Sequence, residues 1–265
     1  METKKSFKEH IDYLYDMSKL MFCFSSGWKK RHEAEDMKDI LARRTMLLEL
    51  TGVKNNKNDE LSLMECLNDI FKENKSDAEI FETLAFNKIK HYLDKDARLS
   101  YEKDNTPPEG YNAGSLKYDA PLKELPSNHC NFHISNAIYP KSIFDDKTYL
   151  PECFMTLLDK SEKEYGYNVL RTYTWLNSHP RWLELFPDEW KNNMSTPDNE
   201  IWNNLGFWGQ LITARKTFNH KTAGYIRTNC ELKYKPRPSW CSFSAMRKHL
   251  EKFIRTIPEE THYVQ

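Results

Sequence analysis

The chain has 265 residues, 39% of them hydrophobic and 29% charged, and its 39 Lys and Arg balance 39 Asp and Glu. That length buries a substantial core, the composition excludes wholesale disorder, and a net charge of zero excludes a global field that selects nucleic acid or a membrane. No run approaches the roughly 18 apolar residues of a membrane span. The opening METKKSFKEHIDYLYD lacks the apolar stretch of a signal peptide, so the expected location is cytoplasmic. Six cysteines (Cys23, Cys66, Cys130, Cys153, Cys230, Cys241) form no CxxC pair, and free thiols are expected.

Residues 5–95 read as helical. Phe7, Ile11, Leu14, Met17 and Met21 recur at three- and four-residue steps, one stripe of a first helix. A second is expected from Ala34 to Leu50 with Gly52 as its stop, and a third from Leu61 to Phe71. Ser76 with Glu79 forms a capping-box pattern opening a fourth. His10, His32 and His91 sit among charged residues and read as surface histidines. From Arg98 to Ser127 the helix breakers Pro107, Pro108, Gly110 and Gly114 mark a turn-rich connector. This divides the chain into a helical subdomain (1–97), a connector (98–127) and an α/β domain (128–265).

In that last part Cys130, Phe132 and Ile134 alternate with His129, Asn131 and His133, the period of a strand with one apolar face. Leu150 to Tyr165 reads as a helix ended by Gly166, and Val169 to Leu176 as a second strand, so the three make a βαβ unit with parallel strands. Pro180 and Pro187 each open a short helix. Phe207–Phe218 reads as helix or strand, Gly224–Tyr234 and Ser239–Phe243 as strands, and Ser244–Ile254 as a final helix. The fold class is α+β or α/β: an N-terminal helical region, then a mixed sheet containing the βαβ unit, with flanking helices.

The chemistry is expected where the two parallel strands end. His133 and His179 are the candidate acid–base groups, since an imidazole titrates near neutral pH. Asn136 and Asn177 would orient a substrate and Arg171 would hold its negative charge at the carboxyl edge of the sheet, where ligands of open α/β sheets bind. His129 and His133, alternate residues of one strand face, could supply two ligands to a divalent metal such as zinc, iron or manganese. Gln210 in the GFWGQ segment is a further substrate-binding candidate. Leu205–Arg255 carries eleven Lys or Arg against Glu231 and Glu251. No nucleic-acid motif accompanies that charge, so RNA or DNA is not the expected partner, and docking on acidic helices or an anionic substrate are the competing readings.

The order of elements from Phe132 to Phe186 resembles the central portion of the Gcn5-related N-acetyltransferases, over about a fifth of the chain. The resemblance implies acyl transfer from coenzyme A, but the Q/R-x-x-G-x-G/A pyrophosphate loop is replaced here by YPKSIFDD. The leading expectation is an enzyme acting on a polar small molecule, anionic ones included, by His-centred acid–base chemistry, with a metal-assisted variant kept open. Acyl transfer and a non-catalytic module for a protein, carbohydrate or RNA are the alternatives. Oligomeric state is left open.

Overall fold

A computed structural model describes residues 3–106 and 108–256; Pro107 of the expected connector and the last nine residues of the expected α/β domain lie outside them. Helix α1 (Phe7–Arg31) starts at a capping box in which Ser6 and Glu9 satisfy each other's backbone N–H groups. Its stripe of Leu14, Met17 and Met21 is buried. The single helix expected next is two, α2 (Met37–Arg44) and α3 (Leu47–Thr51). Thr45 divides them: its hydroxyl bonds the Leu41 carbonyl and accepts the Leu47 N–H, a local bond that competes with the helix ladder. Gly52 ends α3 at φ 70°, a conformation that glycine adopts without a Cβ penalty.

Helices α4 (Lys57–Glu73) and α5 (Ala78–Asn105) follow. Asp77, not Ser76, caps α5, accepting the N–H groups of Glu79 and Ile80. The eight residues from Arg98 to Asn105, read as connector, complete that helix. The connector also contains a strand, β1 (Leu116–Tyr118). Next come β2 (His129–Ile134), α6 (Tyr149–Tyr165) and β3 (Val169–Thr174), the expected βαβ unit, with β2 and β3 parallel.

Beyond β3 lie a 3-10 turn (Trp175–Ser178), α7 (Pro180–Leu183), α8 (Asp188–Asn192) and α9 (Leu205–Trp208). Pro180 is a first-turn proline, whereas Pro187 is the N-cap of its helix. The segment Gly224–Tyr234, expected as a strand, falls largely in α10 (His220–Asn229). Asn219 caps it, and the buried Thr222, Ala223 and Ile226 share a helical rather than an alternating spacing. Strand β4 (Arg237–Ser242) and α11 (Phe243–Arg255) close the described chain.

These elements form two compact units. One comprises the described residues of Met1–Thr106 with Asp198–Lys235, the other those of Pro107–Pro197 and Pro236–Gln265. The first is helical, built on α1 against α5, with Phe22, Phe24, Phe81 and Trp208 fully buried in its core. Part of the basic C-terminal segment pairs with acidic helices here: Arg227 grips Glu82 through two bonds of 2.8 and 3.0 Å, and Arg215 reaches Glu9 at 3.1 Å.

The second unit is a four-stranded sheet in the order β1-β2-β3-β4, antiparallel, parallel, antiparallel. Cys130, Phe132, Leu170 and Cys241 pack one face of it against Phe154, Leu157 and Leu158 of α6 and Met246 and Leu250 of α11. Trp182, Phe186 and Trp190 complete that layer, each buried and each contributing about 2 kcal/mol of transfer free energy. All six cysteines are free thiols. No helix among the described residues is long and apolar enough to cross a membrane.

Candidate functional site

Strand alternation sends the polar residues of this sheet to the face turned away from α6 and α11. The registers set Asn131 beside Arg171 and Arg171 beside Trp240, while His133 pairs with Lys117. Just past β1, the Asp119 N–H bonds the Asn131 carbonyl at 3.0 Å. Asp119, Asn131, Arg171 and Trp240 therefore make one row across all four strands, with His133 diagonal to its first member.

Asp119 is the hinge of the site. Its Oδ2 accepts the Asn131 amide at 2.6 Å and lies 2.8 Å from His133 Nε2. The Tyr167 hydroxyl donates to its carbonyl at 3.1 Å, fixing the backbone from which the carboxylate projects. A carboxylate only accepts, so Nε2 of His133 carries a proton and donates it to Asp119. His133 is exposed and its carboxylate partner about a third exposed. His129 is held below its ordinary pKa, first by burial and then by the Arg171 charge. Its Nδ1 is buried with no hydrogen-bond partner among the described residues. Tyr173 and Trp240 expose 39% and 36% of their surface on the same face, an aromatic area beside Arg171.

Of the residues singled out in the sequence, His129, His133 and Arg171 share this face. The others go elsewhere. The chain leaves β3 through a 3-10 turn, which rotates Asn177 inward until it is fully buried. There its amide donates to the carbonyls of Arg237 and Thr172, and its oxygen accepts the Trp182 indole N–H at 3.1 Å. Those bonds tie the end of β3 to β4 and α7. His179 caps α7 through its backbone carbonyl, and its ring stacks on Phe144 with centroids 5.8 Å apart. Phe144 lines a cavity of about 210 Å³ with Asp146, Lys147 and Arg181.

Asn136 holds a turn, donating to the Lys141 carbonyl and accepting the Ile138 N–H. In the same stretch Asp145 takes the Ser142 N–H and Asp146 the Thr148 N–H, backbone donors of the kind that a pyrophosphate loop would offer its ligand. Gln210 belongs to the helical unit, where it is 2% exposed and bonded to the backbone of Phe207 and Tyr234. The Ser178 hydroxyl accepts from the Arg237 Nε–H at 3.2 Å.

For the metal reading, the strand rise sets the Cα atoms of His129 and His133 about 13 Å apart, with Asn131 between. Among the described residues no group of three or more His, Cys, Asp or Glu is arranged to hold a metal ion.

Sequence reasoning missed Asp119, because LKYD between two glycine- and proline-rich stretches is too short to show alternation. It also missed a buried cluster in the helical unit. His10, read as a surface histidine, is 1% exposed between α1 and α5. Its Nε2 meets the Ser100 hydroxyl at 2.7 Å and its Nδ1 lies 3.6 Å from Asp104, which also binds the fully buried Lys5 ammonium at 2.6 Å.

No family model matches the chain, and neither a curated protein nor a solved structure matches it.

Proposed function

We propose that the chain is an enzyme acting on a polar, anionic small molecule, with His133 as its acid–base group. The observation that carries this reading is the 2.8 Å bond between His133 Nε2 and Asp119, itself clamped by Asn131. A carboxylate behind an imidazole fixes its tautomer and stabilises the charged form that a proton transfer creates. His133 Nδ1 takes or gives the proton, Asp119 holds the ring, and Arg171 and Lys117 on the same face attract the substrate's negative charge. The acyl-transfer alternative has less support, since Asp145 and Asp146 take backbone donors in the stretch that corresponds to the pyrophosphate loop.

The test is turnover of a panel of small carboxylates and phosphate esters, followed by proton NMR with the purified chain. His133→Gln is expected to lose activity by about 100-fold or more while melting like the parent. Asp119→Asn is expected to lower the rate, because the ring is no longer held in its tautomer. Full turnover in His133→Gln sinks the assignment.

A second reading, a non-catalytic module for carbohydrate or single-stranded RNA, draws on the exposed Tyr173 and Trp240 beside Arg171. It expects salt-sensitive binding that Trp240→Ala removes, with no turnover of any substrate.

A further inference from the structure

The end of α1 and the returning segment Asp198–Lys235 line an open cavity of about 340 Å³ within the helical unit. Its apolar lining is Trp28, Ile201 and Leu232, each no more than 5% exposed. Trp28 is held on several sides. The Arg44 guanidinium lies 4.8 Å from its ring centre, its N–H donates to Glu35 at 2.9 Å, and Glu35 in turn binds Arg44. The imidazole of His32 stacks on the indole with centroids 4.1 Å apart and planes 20° from parallel. Arg44, Trp28 and His32 thus make a cationic-aromatic cluster already in contact with one another through the indole.

Charges of both signs line the same space. Glu231 is shared by Arg31 at 3.4 Å and Lys235 at 3.2 Å, and Lys235 also reaches the Asn199 side chain at 3.1 Å. Asp198 supplies the second carboxylate. Two cations and two carboxylates leave no net charge, which disfavours a polyphosphate. The volume is at the small end of ligand sites, room for one ring and a short polar group rather than a dinucleotide.

We propose that this cavity binds an aromatic α-amino acid. The ring lies against the Trp28–His32 stack, the carboxylate meets Arg31 and Lys235, and the ammonium group meets Glu231 and Asp198. The site lies wholly in the helical unit and stands independently of the sheet-face chemistry.

The experiment is a titration of the full chain with L-phenylalanine, L-tyrosine and L-tryptophan, read by saturation-transfer NMR and calorimetry. Two comparators divide the parts: glycine has the charges without the ring, and N-acetyl-L-phenylalaninamide has the ring without the charges. Binding of the aromatic amino acids is expected in the millimolar to high-micromolar range, as ligands of this size allow. Each comparator, and each of the variants Lys235→Ala and His32→Ala, is expected to bind about tenfold more weakly. Both variants change exposed or half-exposed side chains, and thermal melts check that they fold. Three results overturn the proposal: no saturation transfer with any of the three amino acids, equal binding of the capped amide, or unchanged affinity in both folded variants.

Discussion

Lys5, His10 and Asp104 in the helical unit, and Asp119, Asn131 and His133 in the sheet unit, are two clusters of polar groups: Asp104 bonds Lys5 and lies 3.6 Å from the His10 ring, and Asp119 bonds both Asn131 and His133. Lys5 and His10 are sealed between helices, with side chains 0% and 1% exposed, whereas His133 is 46% exposed. A buried charge is tolerated only while it is paired, so the first cluster is bound up with whether the unit folds. The second sits on a face that water reaches. Closely similar residue types are therefore sealed into one unit and reached by solvent on the other.

The sharpest way to break that contrast is pH. Burial, reinforced by the Lys5 charge, holds the His10 imidazole at about 4, against 6.5 for the ordinary group. Between those values the unfolded chain binds a proton that the folded one refuses. Stability is therefore full above pH 6.5 and falls as the pH drops towards 4, by about 3 kcal/mol for a shift of this size. Urea midpoints measured across that window are expected to show the fall, and His10→Gln to flatten it. An unchanged slope in that variant would place the effect elsewhere.

A smaller loss is expected of Asp104→Ala, which removes the carboxylate from the buried Lys5 ammonium. About 2 kcal/mol is expected by urea denaturation, below the figure for a fully buried pair because Asp104 itself is 40% exposed. The smallest effects belong to the sheet face: His133→Gln and Trp240→Ala should each change stability by less than about 0.5 kcal/mol. A loss several times larger in either variant would mean that the face is structural, and the contrast between the clusters would collapse.

How much of this was legible depends on how far each feature reaches along the chain. The βαβ unit showed itself because Cys130, Phe132 and Ile134 alternate within five residues and Gly166 punctuates the helix that follows. The sharing of one face by His129, Asn131 and His133 follows from that period alone. Asp119 did not show, because its place beside His133 is set by the pairing of β1 with β2, which three residues of strand cannot announce. Asn177 misled for a local reason: the strand was read two residues too far, and the 3-10 turn at Trp175 carries the amide into the core. His10 misled for a distant one, since its partners Ser100 and Asp104 are about ninety residues away on α5. The strand expected over Gly224–Tyr234 failed because Tyr225 and Tyr234 resemble strand residues, while Asn219, just before the segment, is the cap that sets the helix.

The segment Asp198–Lys235 carries a last consequence, for synthesis rather than for the finished molecule. It supplies Ile201, Phe207, Trp208, Ile226 and Leu232 to the core of the helical unit. A ribosome that has released residues up to Thr106 must still make the whole stretch to Lys235 before that core can close. At ordinary elongation rates the delay is on the order of ten seconds, and through it the apolar stripes of α1 and α5 have no final cover. Between those two points of synthesis the apolar surface of the helical unit has no native partner to cover it.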